Sequence, residues 1–143
     1  MVGMKEELRA IFEGKAKPPP ISTTLGMKLL KYGAGEATMG MTVGKKFHNP
    51  MGTLHGGIMT DIADAAMGIA LASTLGEDEV FTTLELKMNF LRPVYSGKLV
   101  AEGKVTHRGR TIALVECLVK TAEGKVVAKG MATQMIVKSA GSS

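Results

Sequence analysis

Tryptophan is absent from this chain, and only two tyrosines and four phenylalanines are present. That leaves little material for stacking nucleic-acid bases. No helix-turn-helix or zinc-finger pattern occurs, and the lysines are spread rather than blocked. The net charge of +5 is therefore not expected to serve DNA or RNA; it suits a small phosphate-bearing ligand. A single cysteine, Cys117, cannot form an internal disulfide, which fits a reducing cytosol. It lies in the apolar run ALVECLV and reads as a buried structural thiol. No apolar run approaches the roughly 18 residues a membrane helix needs. The first residues, MVGMKEELRAIFEGK, carry acids among the apolar positions, unlike a secretory signal. A cytoplasmic protein with no membrane span is expected.

What is present suffices for one globular domain. The chain has 143 residues, 45% hydrophobic and 22% charged, enough to close a core. Residues 4–13 have apolar side chains at helical spacing, and the prolines of KPPP (17–20) end that helix. The expected organisation is an N-terminal helix and linker (1–20), a main domain (21–138) and a disordered tail (139–143). LGMKLLKYG and GEATMGMTVG read as two strands joined by a tight turn at Gly-Ala-Gly. Residues 57–75 have the alanine content of a helix. TTLELKMNFLRPV then places Leu84, Leu86, Met88 and Phe90 at every second position, the pattern of a half-buried strand. Three further strands follow, broken at Gly97, at His107-Arg108-Gly109 and at Glu123-Gly124. The order α-β-β-α-β-β-β-β predicts an α+β fold, one alanine-rich helix against a mostly antiparallel sheet.

Chemistry concentrates in HNPMGTLHGGIMTDIADAAMG, residues 48–68. Gly56 and Gly57 stand at a helix start, where amide donors lack partners and the dipole adds positive charge. Such an end can stabilise a carbonyl oxygen becoming an oxyanion. Asp64 falls in the middle of an Ala/Ile/Met helix, against both propensity and burial, and reads as functional. Asp61, nearer the first turn, reads as structural. His48 and His55 share no helix face and have no completing ligand, so no metal is expected. No G-x-S-x-G stretch points to a serine hydrolase. Arg108 and Arg110 flank a turn glycine in THRGRT, where guanidinium forks suit phosphate as well as solvent.

The run HNPMGTLHGG, followed by Asp64 and by a strand that opens at Thr83 and ends in LRP, resembles the hotdog-fold acyl-CoA thioesterases of the phenylacetate-degradation (PaaI) type. The resemblance spans about residues 20–137. It implies a hotdog fold, an antiparallel sheet wrapped around one long central helix, paired as a homodimer and assembled into a homotetramer. It implies hydrolysis of an acyl- or arylacyl-CoA, with CoA part of the substrate and no separate cofactor. Asn49 matches the family's asparagine, Gly56 the glycine whose amide polarises the thioester carbonyl, and His55 the motif histidine. Asp64 matches the catalytic carboxylate and Thr83 the hydroxyl beside it. Arg108 and Arg110 match the CoA-phosphate region. Asp64 then acts as general base or as nucleophile. An enoyl-thioester hydratase using His55 and Asp64 is one alternative, and a non-catalytic acyl-CoA binding protein another.

Spacing adds a constraint. Gly56 and Asp64 lie eight residues apart, about 12 Å along one helix, whereas both groups must reach one reacting carbonyl. A composite site is expected, with Asn49 and Gly56 from one subunit facing Asp64 and Thr83 of its two-fold mate.

Overall fold

A computed structural model describes residues 3–139. Two short helices, α1 (Met4–Phe12) and α2 (Pro20–Leu25), precede strands β1 (Lys28–Gly33) and β2 (Glu36–Val43). The long helix α3 (Gly56–Ala72) follows, then β3 (Glu79–Phe90), β4 (Gly97–Arg108), β5 (Ile112–Thr121) and β6 (Val126–Lys138). All strands join one antiparallel sheet in the order β1-β2-β4-β5-β6-β3. The expected α+β hotdog architecture is borne out.

Small residues bring the helix onto the sheet. A side chain at Gly103 of β4 would fall 2.5 Å from the Ala66 carbonyl oxygen, so the backbones of helix and strand meet there. Around that contact Ile62, Met67 and Leu71 of α3 pack with Leu99, Val115 and Val119 at essentially zero exposure. Cys117 is buried in the same layer, and desolvation first, with the Glu102 charge adding, pushes its thiol pKa up to about 12. It is a packing residue.

Three local expectations change. Helix α1 ends at Phe12, ahead of the prolines, in a turn where Gly14 takes φ 76°. The prolines instead begin another helix, Pro20 being the first residue of α2, where a missing N–H costs nothing. Helix α3 starts at Gly56 and stops at Ala72, short of the expected 75, because Ser73 and Thr74 turn their hydroxyls back onto the carbonyls of Ala70 and Leu71. In β3 the simple alternation fails at Leu84. Thr83 pairs with Gln134 and Glu85 with Thr133, so Leu84 is an inserted bulge residue. The bulge turns Leu84 outward, at 55% exposure, and keeps Thr83 on the helix-facing side with Phe81, Leu86 and Met88. As for the tail, the amide of Ser139 donates to the Asp78 carbonyl at 2.7 Å; residues 140–143 lie outside the described ones.

Candidate active site

The loop before α3 is held by its own asparagine. Asn49 Oδ1 accepts from the amides of Met51 (3.0 Å) and Thr53 (3.1 Å), and its Nδ2 donates to Thr53 Oγ1 at 2.9 Å. One Nδ2 hydrogen remains for another acceptor. His48 Nε2 meets the Tyr95 carbonyl at 2.7 Å, and the His55 amide donates to Phe47 O at 2.9 Å. These bonds fix where α3 begins.

His55 is the N-cap of α3. Its Nδ1 accepts from the Gly57 amide at 3.0 Å, and its carbonyl accepts from the Ile58 amide at 3.0 Å. The amide of Gly56 is left over: none of the hydrogen bonds among the described residues uses it. That donor, backed by the helix dipole, points away from the helix start. Phe90, at the end of β3, lies over it, and a Cβ at Gly56 would meet that ring at 3.0 Å.

Asp64 is not in the buried face of α3. It and Asp61 lie on the exposed side, while Ile62, Ala63, Ala66 and Met67 fill the core. The carboxylate is open on its outer side yet crowded by neighbours on its inner one. That desolvation raises its pKa above the ordinary aspartate range; the Asp61 charge raises it further, and a hydrogen bond with Thr83 opposes both. Thr83 reaches Asp64 because of the bulge at Leu84. Behind it Gln134 of β6, wholly buried, donates from Nε2 to Thr83 Oγ1 at 3.3 Å. A hydroxyl that accepts from Gln134 keeps its own proton for the carboxylate. The Oε1 of Gln134 is buried and has no partner among the described residues. The sequence reading missed this residue. Its signal is the inward alternation Gly130, Ala132, Gln134, Ile136, in which one polar side chain occupies a core position.

Asp64 and Thr83 border a pocket of about 670 Å³ whose walls include Leu8, Met27, Met39, Ile69 and Phe81. Asn49, His55 and Gly56 are not among its lining residues. One chain thus brings Asp64 and Thr83 together, and separately Asn49, His55 and Gly56. The two arginines also part company. Arg108 pairs with Glu79 at 2.8 Å and donates to Thr74 Oγ1 at 3.1 Å and to the Gly109 carbonyl. Arg110 is exposed, and no acceptor is recorded for it among the described residues. Nor does any group of three or more His, Cys, Asp or Glu there have the grouping of a metal site.

Comparison with known proteins supplies the lineage. Residues 51–128 match the Thioesterase superfamily, more than half of the chain. A Saccharolobus solfataricus protein bearing an esterase name is 35% identical over 135 residues, covering 94% of this chain and 96% of its own. Human acyl-coenzyme A thioesterase 13 is 28% identical over 138 residues, covering 94% and 97%. A solved Ralstonia eutropha structure, described as a phenylacetic acid degradation-related thioesterase, superposes with TM-score 0.83 at 28% identity, covering 90% and 98%. With an unpaired helix-start amide, a desolvated helix carboxylate and this lineage together, the chain belongs to the thioesterase superfamily and is a hotdog-fold thioester hydrolase of the PaaI type.

Proposed function

We propose that the protein hydrolyses acyl-CoA thioesters at a site shared between two copies of the chain. The observation that carries the reading is the free Gly56 amide, set eight residues from Asp64 on the same helix and outside the pocket that Asp64 borders. Each chain holds half of what acyl transfer requires. β3 offers the seam: it is an edge strand with Leu84 and Phe90 more than half exposed, and an unpaired edge invites another strand. Gly56 touches Phe90 and Asp64 touches Thr83, so both halves are anchored on β3, seven residues apart. Antiparallel pairing of two β3 strands about a two-fold, with Thr83 of one opposite Phe90 of the other, brings the halves together twice.

In such a site the Gly56 amide of one chain, with the spare Asn49 hydrogen, receives the carbonyl oxygen. Asp64 of the other takes a proton from water as the water oxygen bonds to the carbonyl carbon, or attacks that carbon itself. Collapse of the tetrahedral intermediate breaks the carbon–sulfur bond. On the general-base route the CoA thiolate takes the proton from Asp64; on the nucleophilic route it leaves an acyl-Asp64 anhydride and takes its proton from the water that cleaves it. A water step after a nucleophilic attack by Asp64 restores the carboxylate. Thr83 steadies the carboxylate, and His55 holds the helix start whose amide does the work. Arg110, exposed and unengaged, is the residue available to CoA phosphate, while Arg108 shapes the turn that presents it.

A mixed-dimer experiment tests the reading. Gly56→Pro and Asp64→Asn proteins should each be nearly inactive. Refolded together, about half the dimers are mixed and each mixed dimer regains one intact site, so roughly a quarter of wild-type activity returns. Mixed dimers verified by mass spectrometry but without recovered activity would place the whole site in one chain.

A further inference from the structure

Helix α1 is amphipathic but buries none of its residues. Its Met4, Glu7, Leu8 and Ile11, spaced as one helical face, all line the pocket that Asp64 borders. Met4 and Leu8 are half-buried against the core, as the apolar stripe of a surface helix should be, and the same face borders the opening. Contacts with Tyr32 add to that packing. Tyr32 of β1 donates its hydroxyl to the Lys5 carbonyl at 3.1 Å, and its ring lies 6.1 Å from that of Phe12.

The opposite wall belongs to α3. Asp64, Ala65, Gly68 and Ile69 line the pocket in order, so it runs at least about 7.5 Å along the helix from the carboxylate, at 1.5 Å per residue. The walls between are Met27, Leu29, Met39 and Phe81, and the charged lining residues Glu7, Lys17 and Lys28 are exposed at the mouth. At roughly 30 Å³ for a water-sized group, about 670 Å³ takes on the order of twenty methylene-sized units. A single aromatic ring would leave most of that space unfilled. Most of the lining is apolar and adaptable, with three methionines among it; Ser22 is its buried polar side chain, and Thr83 sits beside Asp64 at the reacting end.

We infer that α1 is the far wall of the acyl pocket and sets acyl length, and that the pocket takes an unbranched saturated chain of about ten carbons or more. This rests on the thioesterase reading for the placement of the thioester at Asp64. Leu8 and Ile11 are specificity-determining residues. They meet the chain beyond the reacting atoms and leave the chemistry untouched.

The test compares wild type, Ile11→Trp and Ile11→Ala on butanoyl-, octanoyl-, dodecanoyl- and hexadecanoyl-CoA, with calorimetric binding of dodecanoate alongside. Ile11 is on a helix without buried residues, so both variants should fold; circular dichroism melting checks this. Ile11→Trp should lower kcat/KM for dodecanoyl-CoA about tenfold or more while holding butanoyl-CoA within about twofold, and should abolish dodecanoate binding. Ile11→Ala should move the preference toward hexadecanoyl-CoA. An unchanged length profile in both folded variants overturns the wall while leaving the thioesterase reading intact, and is also the result expected if a second copy fills the pocket. If wild type releases no thiol from any acyl-CoA yet binds dodecanoate, and Ile11→Trp does not, the thioesterase reading falls and the wall stands. Absence of both activity and binding overturns both.

Discussion

The amide of Gly56 can be removed with little else disturbed. Gly56 is the first residue of α3, the position where proline's fixed φ suits a helix and its missing N–H breaks no helical bond. The preceding residue, His55, has φ −61° and ψ 132°, the extended conformation that a following proline requires. Gly56→Pro should therefore fold, with its melting temperature within a few degrees of wild type. What it loses is the Gly56 donor, which His55 leaves unused. Deleting an oxyanion donor costs about 10²–10³ in kcat, roughly 3–4 kcal/mol of transition-state stabilisation.

The control is Gly56→Ala, which adds the same Cβ against Phe90 but keeps the N–H. That Cβ would stand 3.0 Å from the ring, and Phe90 is half exposed and has room to swing, so the alanine variant should lose less than about tenfold. The assay is steady-state thiol release from an acyl-CoA, with kcat and KM resolved. Because the donor acts on charge that develops in the transition state, the loss should fall on kcat. If proline and alanine variants lose kcat equally, the damage is steric and the oxyanion role of Gly56 is refuted.

Asp64→Asn should reduce turnover by about a hundredfold or more, and near-normal turnover in the purified variant would remove Asp64 from the chemistry. The same variant should be more stable than wild type at neutral pH. A carboxyl whose folded pKa is raised favours folding while protonated, and that contribution is lost as pH rises through the folded pKa; denaturant melts at acidic and neutral pH should show the gain only at neutral pH. The acidic limb of kcat/KM should lie above the ordinary aspartate range, moving down in Asp61→Asn and up in Thr83→Val. Movement in the opposite directions would reverse the electrostatics. Arg110→Ala should raise KM for an acyl-CoA but not for an acyl-pantetheine, an effect shrinking with salt; equal damage on both would refute a phosphate contact. Ala34, at φ 54° between Gly33 and Gly35, is a left-handed non-glycine residue in the β1–β2 turn. Ala34→Asn should stabilise by about 1 kcal/mol in equilibrium denaturation, and a loss would show the turn is not strained there.

Much of the fold was legible because its signals are local. Alternating strands, turn glycines and an alanine-rich helix announce themselves within windows of a dozen residues, and the helix–sheet contact at Gly103 follows from small residues facing each other. The errors also have local causes. One inserted residue in β3 reverses which side of the sheet a side chain faces, and periodicity cannot show an insertion whose cost is met by a partner strand far away in sequence. The prolines start α2 rather than end α1, which closes at Gly14, and only the chain's course after them reveals the second helix. In the site, Asp64 stood out because an acid in that helix opposes propensity. Gln134 did not, since its meaning depends on Thr83, fifty-one residues earlier in the chain.

The bulge also ties the fold's irregularity to its chemistry. Without it, a regular β3 with Leu84, Leu86 and Met88 inward would send Thr83 to the outer face, and Asp64 would keep its desolvation and its Asp61 neighbour with nothing opposing them. The carboxylate would then hold its proton to still higher pH and serve less well as a base. By placing one extra residue at Leu84, the strand offers a hydroxyl to Asp64 and a large apolar side chain to the outside with the same shift. That outward leucine lies on the free edge of the sheet, at the seam where a second chain would complete the site. Tuning of the carboxylate and the apolar surface for assembly thus come from one local departure from regular strand geometry. Deleting Leu84 takes out the inserted residue and leaves Thr83 opposite Gln134 and toward the helix, so dimers should dissociate at higher protein concentration, read by sedimentation, while the acidic limb of the rate profile keeps its place. A deletion variant that folds and dimerises like wild type would take Leu84 out of the seam.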